Sequence, residues 1–336
     1  MGPELAIAVV IVTALVLYAL LAGADFGGGV WDLLASGPRK GEQRALIERV
    51  IGPIWEANHV WLILAVVLLF TGFPAAFAAI SIALHVPLTL FLLGIVFRGS
   101  AFTFRSYDSR SDTAQQRWGV VFSIASVLAP LLLGCIVGAV ASGDIRVEAG
   151  VVTSGFFSPW LALFPITVGL FALALFAFLA AVYLTHEAPT PELADDFRRR
   201  ALVTGVIVAL LAGAAFAASF SGAPRVSAGL TGRPFTWPLH GATAVFALLA
   251  FWALWKRRFW MARIAAAAQV ALIVVGWAAS QYPFLVVPDI TLQVAAGNSQ
   301  TLRLVLWAIA GGSVLLIPSL LILFRIFQRT SAPRGR

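Results

Sequence analysis

Residues 57–97, with the sequence ANHVWLILAVVLLFTGFPAAFAAISIALHVPLTLFLLGIVF, carry no charged side chain over a length of 41 residues. A helix needs ~20 apolar residues to cross ~30 Å of hydrocarbon. The Gly72-Phe73-Pro74 triplet interrupts the run midway, and glycine and proline commonly mark turns. The segment therefore predicts two membrane-spanning helices joined by a very tight turn.

The same apolar pattern recurs along the whole chain. Of its 336 residues, 60% are hydrophobic and 11% are charged, whereas about a quarter are charged in soluble proteins. This composition excludes a cytosolic enzyme, a nucleic-acid module and a disordered tail. We predict an all-α integral membrane protein with a single polytopic domain over residues 1–336. Its nine transmembrane helices are expected at roughly 5–24, 56–72, 77–97, 118–141, 160–184, 201–220, 239–255, 264–280 and 304–325.

The basic residues predict the orientation of these helices. If nine helices are threaded through the membrane, 19 of the 23 Lys and Arg residues fall on one face. The other face holds only Arg146, Arg225, Arg233 and Arg303. Because cytoplasmic loops are enriched in Lys and Arg, we expect the N-terminus outside and the C-terminus in the cytoplasm. The net charge of +8 thus reflects topology and anionic lipids, and no nucleic-acid partner is expected.

Two acidic residues are predicted at membrane depth. Asp25 lies at the end of the first helix, and Glu56 opens the second. An ionised carboxylate there is costly and by default indicates function. The alternative is that each lies at the headgroup level and faces water or a nearby arginine. Asp32, closer to the loop, is expected to do only that.

Four glycines surround Asp25, and they allow two interpretations. Gly23, Gly27, Gly28 and Gly29 could let neighbouring helices approach closely. Three consecutive glycines also weaken a helix, which favours local unwinding next to Asp25. Unwound backbone at membrane depth has to be buried in protein or line a wet cavity. Both interpretations stay open at this point.

His59 and Arg98 are the other polar candidates near these carboxylates. His59 follows Glu56 by three positions, so the two share a helix face and could exchange a proton. Metal binding there is the weaker alternative, because a second histidine has to come from elsewhere. Arg98 could reach the lipid headgroups along its aliphatic stem, or it could be the counter-ion of Asp25 or Glu56. No catalytic residue or metal site is predicted, since no phosphate loop, nucleophile elbow or metal motif occurs.

Five dispersed motifs carry a family resemblance. They are GADFGGG at 23–29, IGPIWEANHVWL at 51–62, FRGSAFTFR at 97–105, FFSPW at 156–160 and GWAASQYP at 276–283. In this order they resemble the second subunit of the cytochrome bd quinol oxidases, including the cyanide-insensitive branch, over residues 1–326. His59 departs from the pattern, because several relatives carry glutamate there. This difference puts the protonation chemistry at position 59 in doubt, but not the family resemblance.

The resemblance implies a terminal respiratory oxidase that oxidises quinol, reduces oxygen to water and takes its protons from the cytoplasm. It implies two four-helix bundles plus one peripheral helix, in a bacterial cytoplasmic (inner) membrane. By the same resemblance, this chain is expected to ligate no cofactor, and a haem-bearing subunit I is expected to hold haems of the b and d types, or of the b type alone. A small third subunit, membrane lipids and a structural quinone or lipid are further partners of this kind of chain.

The resemblance also assigns a role to the polar candidates. Asp25 and Glu56, with His59 and Arg98, are expected to form a path for proton uptake, while the glycines pack helices. A purely structural assembly subunit would lack this path. A stand-alone proton-coupled transporter or channel is the alternative from a different class of protein.

Overall fold

The computed structural model describes residues 2–51, 55–107 and 112–331. Within these ranges the secondary structure is helical apart from two short hairpins. Its elements are α1 Pro3–Leu33, α2 Lys40–Ile51, α3 Trp55–Gly72, α4 Pro74–Ala83, α5 His85–Tyr107, α6 Asp112–Ser142, β1 Val147–Glu148, β2 Val151–Val152, α7 Leu163–Glu187, α8 Pro191–Gly222, α9 Pro224–Thr231, α10 Thr236–Trp255, α11 Phe259–Gln281, β3 Phe284–Val286, β4 Ile290–Thr291, α12 Leu292–Ala295 and α13 Ser299–Ser331.

The number of membrane spans agrees with the prediction. Within the described ranges, eight helices are long and apolar enough to cross a membrane, and a bent pair brings the number up to nine. In that pair, Glu56–Gly72 and Pro74–Ala83 meet at 116°. The turn falls at the predicted triplet, because Pro74 starts a new helix directly after the non-helical Phe73.

The predicted third helix at 77–97 is wrong in its bounds. The chain forms the short α4 and then the longer α5, and Leu84 separates them. Pro87 explains the break, because a proline in a helix interior clashes with the carbonyl four residues earlier. Starting α5 at His85 puts Pro87 into the first turn, where a backbone N–H has no helical partner in any case.

Several helices extend beyond their apolar stretches. The first runs for 31 residues to Leu33, about 46 Å at 1.5 Å per residue, whereas the prediction ended it at residue 24. Helix α8 begins at Pro191 rather than 201, and the Thr190 side chain caps it by accepting a hydrogen bond from Leu193 N. Hydropathy marks only the strongly apolar part of a helix, and so it misses the turns that carry glycine or polar residues.

Helix α7 occupies the centre of the molecule. It packs against α1, α6, α8 and α11, and every side chain from Leu175 to Val182 is buried. A helix that is apolar all round is expected in such a position. Helix α13 contacts α1 and α3 and leaves most of its described side chains exposed. The grouping into two four-helix bundles and the direction of the termini stay predictions.

The two ends of the molecule differ in charge. One end carries the α1–α2 turn, the start of α8 and the α10–α11 turn, with the ion pairs Arg39–Asp196 and Arg257–Asp195. We call it the arginine-rich end. The opposite end carries the two hairpins, which the Arg146–Asp289 pair joins at 2.9 Å. Because Asp25 and Asp32 belong to the last third of α1, they lie toward the arginine-rich end.

Candidate functional site

Asp25 is buried within the helix bundle. Its carboxylate accepts a hydrogen bond from Asn58 Nδ2 of α3 at 2.5 Å, and only 4% of the residue is exposed. A charged group taken out of water in this way is costly unless polar partners surround it. The structure thus removes the alternative that Asp25 lies at the headgroup level facing water. The sequence prediction missed Asn58, although an amide inside an apolar helix is itself a signal.

Arg98 of α5 is buried as well, with 2% of its surface exposed. Its Nε donates to Ser126 Oγ of α6 at 3.1 Å. The guanidinium carbon lies 5.0 Å from the ring centre of Phe26 and 5.2 Å from that of Phe122, distances at which a cation is attracted to an aromatic face. The alternative that Arg98 reaches the headgroups is wrong.

Arg98 and Asp25 lie within electrostatic range of each other without a direct ion pair. No N–O contact within 4.0 Å joins them in the described part of the chain, and Arg98 instead covers the ring of Phe26, the residue next to Asp25. The predicted counter-ion role is therefore a through-space attraction.

Tyr18 and His59 are further polar residues, on the side of Asp25 that is farther from the arginine-rich end. The Tyr18 hydroxyl lies 3.4 Å from His59 Nδ1, and the His59 ring also contacts Phe26. Tyr18 is 2% exposed. It precedes Asp25 by seven residues, so both lie on the same face of α1. The predicted site residue His59 thus faces α1, and the phenol of Tyr18 is a partner that the sequence prediction missed.

Asp32 continues the same face toward the arginine-rich end, seven residues after Asp25. It is 2% exposed, and Ser123 Oγ of α6 donates to its Oδ2 at 3.3 Å. Arg44 Nε of α2 lies 3.7 Å from its Oδ1. Asp32 thus faces a nearby arginine as expected, but it does not face water, because α1 stays helical and carries Asp32 in between α2 and α6.

The glycines pack against neighbouring helices and do not unwind α1. A Cβ on Gly23 would lie 2.7 Å from the Phe176 ring, and one on Gly27 would overlap the backbone oxygen of Phe176. A Cβ on Gly29 would overlap the Ser126 side chain. Gly28 is buried too. Helix α1 runs through all four glycines, so local unwinding is wrong and close helix approach is the interpretation that holds.

Glu56 lies apart from this cluster. It is exposed in the first turn of α3, and residues two positions apart do not face the same side of a helix. Asn58 rather than Glu56 therefore points at Asp25. The neighbouring residues 52–54 of the quoted motif lie outside the described residues.

Polar side chains of four neighbouring helices form several hydrogen-bonded pairs in this part of the bundle, and we call these residues together the polar seam. It consists of Tyr18, Asp25 and Asp32 of α1, Asn58 and His59 of α3, Arg98 of α5, and Ser123 and Ser126 of α6. Carboxylate, hydroxyl and imidazole groups in a row can accept and release protons. In the described ranges, no three His, Cys, Asp or Glu side chains are placed to hold a metal ion.

A separate cavity of about 460 Å³ lies between α1, α6, α7, α8, α10 and α11. Its walls are almost entirely apolar, with Tyr18, His240, Gln269 and Trp277 among the lining residues. Gln269 Oε1 and Trp277 Nε1 are buried atoms without a hydrogen-bond partner in the described structure. One acceptor and one donor thus remain for a molecule inside the cavity, and Tyr18 contacts both the cavity and the polar seam.

These features define a multi-pass membrane protein that keeps ionisable groups inside its helix bundle. The family model for cytochrome bd terminal oxidase subunit II matches residues 3–327, and the chain belongs to this family. A putative cytochrome bd menaquinol oxidase subunit II of Bacillus subtilis (strain 168) is 24% identical over 331 residues, which are 93% of this chain and 92% of that protein. Cytochrome bd-I ubiquinol oxidase subunit 2 of Escherichia coli (strain K12) is 30% identical over 127 residues, 38% of this chain and 32% of that protein.

A solved structure shares the fold. The bd oxidase from Geobacillus thermodenitrificans superposes with a TM-score of 0.81 at 23% identity, over 97% of this chain and 99% of that chain. The resemblance read from the five motifs is confirmed. The chain is a subunit of a quinol oxidase, an oxidoreductase complex with haem cofactors, a quinol substrate and a partner subunit I. This membership does not support the alternative of a stand-alone transporter or channel.

Proposed function

We propose that this chain takes up protons for oxygen reduction and serves as the scaffold of the haem-bearing subunit I. The observation that carries the proposal is the buried Asp25 carboxylate, hydrogen-bonded to Asn58 inside the polar seam. Reduction of oxygen to water consumes protons, and these must reach a site inside the membrane. A buried ionisable group that faces the interior of a bundle is typical of such a path.

Each member of the polar seam has a role in this proposal. Asp25 holds the proton in transit, and Asn58 orients its carboxylate. Arg98 supplies a fixed positive charge over the ring of Phe26, the residue next to Asp25. Tyr18 and His59 receive the proton and direct it toward the partner. Haem supplies the redox chemistry of the complex, whereas the residues of this chain hold and move protons.

The orientation of the chain in the membrane and the position of Glu56 are the remaining parts of the proposal. With the N-terminus outside, the arginine-rich end faces the cytoplasm of a bacterial cell, so Asp25 and Glu56 lie toward the source of the protons. Glu56 is exposed on α3, where it would meet the partner or the headgroups. The two four-helix bundles, the peripheral α13 and a small third subunit belong to the same arrangement.

The test is the Asp25→Asn variant of the assembled complex. Steady-state oxygen consumption should fall by at least about tenfold, since general acid–base groups commonly contribute more than that, while the haem spectrum stays unchanged. Asp289→Asn is the matched control, because Asp289 pairs with Arg146 at the opposite end. Unchanged turnover of assembled Asp25→Asn complex would refute the proposal.

We also propose that the apolar cavity holds a lipid or a quinone as a structural component. The free acceptor at Gln269 and the free donor at Trp277 support an apolar molecule with one polar end. Mass spectrometry of solvent extracts should find less of it in a Gln269→Leu, Trp277→Phe double variant. Trp237→Phe, at an exposed tryptophan, is the control. Equal content in all three proteins contradicts the proposal.

A further inference from the structure

We propose that Asp32 is the group that first accepts protons from water at the arginine-rich end, and that Ser123 and Ser126 connect it to Asp25. This inference rests on the proposed function of Asp25 and extends it to a second carboxylate. The two residues share one face of α1, seven positions apart, which is about 10.5 Å along a helix at 1.5 Å per residue. A direct proton transfer over that distance is not feasible, so intermediate groups are required.

Helix α6 supplies these intermediate groups. Ser123 and Ser126 lie three positions apart on one helix face, and both are buried, at 2% and 0% exposure. Ser123 Oγ bonds Asp32 Oδ2 at 3.3 Å, and Ser126 Oγ accepts from Arg98 Nε at 3.1 Å. The two hydroxyls therefore contact one charged group each, and they cover the stretch of α1 between the two carboxylates.

Gly29 provides the space that this connection needs. It lies between Asp25 and Asp32 on the same face of α1, and a Cβ there would overlap the Ser126 side chain. Any other residue would push Ser126 away from α1. The glycine thus lets a hydroxyl reach the helix surface between the two acids.

Arg44 connects Asp32 to the aqueous surface. Its side chain is 40% exposed, and its Nε lies 3.7 Å from Asp32 Oδ1. Both of its hydrogen bonds to Asp32, at 3.3 Å, go to the backbone oxygen. Arg44 therefore places a charged and partly exposed group beside the buried Asp32 carboxylate.

A structural clip that only holds α2 is the competing explanation. Other contacts already perform that task, because Arg39, directly before α2, binds Asp196 of α8 through Nε at 2.8 Å and Nη2 at 2.5 Å, and Gln43 of α2 donates to Asp196 Oδ2 at 3.0 Å. Asp196 is partly exposed and contacts no member of the polar seam. An acid that served only to hold α2 would not need to bond Ser123 in the interior.

The proton steps balance without electron transfer. A hydronium ion gives its proton to the Asp32 carboxylate and leaves as water. Each serine hydroxyl, or a water beside it, then accepts one proton and releases its own to the next group. The last transfer forms the O–H bond on Asp25 and restores the Asp32 carboxylate.

The experiment measures proton uptake by the reduced complex in a single turnover with oxygen, using a pH-sensitive dye. Asp32→Asn should slow uptake by at least about tenfold with an unchanged haem spectrum, and Asp32→Glu should restore most of the rate. Asp196→Asn, which breaks the ion pair with Arg39 directly before α2, should behave as the unaltered complex. Asp25→Asn is measured in parallel.

Each outcome decides the inference. A normal rate for Asp32→Asn with a slow Asp25→Asn overturns the role of Asp32 and leaves the proposed function in place. Normal rates for both overturn the proposed function and this inference with it. Equal slowing by Asp32→Asn and Asp196→Asn indicates a structural clip and overturns the inference. If Asp32→Asn does not assemble, Ser123→Ala decides: slow uptake supports the relay, and a normal rate refutes it.

Discussion

The close contact between α1 and α7 at Gly27 leads to a prediction about assembly. In a Gly27→Ala variant the new methyl group would overlap the backbone oxygen of Phe176 and lie 2.8 Å from the Cβ of Ala180. The shortest comfortable separation of two carbons is about 3.5 Å. Since a backbone oxygen cannot rotate away as a side chain can, α1 and α7 have to separate.

The magnitude follows from two opposing effects. Forcing an extra methyl group into a packed interior costs about 1–3 kcal/mol, and we expect the upper end because α7 is also held by α6 and α8. Alanine is a better helix former than glycine by about 1 kcal/mol. The net loss is about 2 kcal/mol, which is roughly a 30-fold decrease in the ratio of folded to unfolded protein.

The assay is the yield of assembled, haem-containing complex together with its thermal midpoint. Gly41→Ala is the matched control, because Gly41 lies in α2 and a methyl group added there would have no neighbouring atom within 4 Å. That variant should be neutral or slightly stabilised. If Gly27→Ala were as stable as Gly41→Ala, the close approach of α1 to α7 at this glycine would be refuted.

Two further predictions concern contacts outside the proton path. Arg146 holds the pKa of Asp289 below its ordinary value, so the link from Asp289 to the Val147 amide at 2.8 Å should persist above about pH 4 and weaken as the pH falls through the lowered pKa. Hydrogen exchange of the Val147 amide as the pH is lowered from 7 measures this, and protection that survived protonation of the Asp289 carboxyl would contradict it. Trp31→Phe removes the hydrogen bond to the Ala177 oxygen at 2.8 Å, which should cost about 1–3 kcal/mol. Unfolding of the complex in denaturant checks the loss, and an unchanged midpoint would show that the bond contributes nothing.

The comparison of Asp25 with Glu56 shows how far sequence reasoning about the site could go. The scarcity of acids in apolar segments singles out both residues, but it carries no information about the direction in which a side chain points. The structure buries Asp25 and leaves Glu56 exposed. Asp32 was set aside because it lies nearer the loop, yet it is buried, since α1 continues through the glycines as a helix.

The sequence by itself determined the membrane class, the number of spans, the charge asymmetry and the family, because hydropathy and motifs are local properties of the chain. It also selected Asp25 and Arg98, since a charge inside an apolar segment stands out without any partner. Only the tertiary structure decided which side chains contact these buried charged residues. Asn58 meets Asp25 from 33 positions away, and Ser123 meets Asp32 from 91. Such pairs depend on how separate helices pack, and the spacing of residues along one chain does not contain that information.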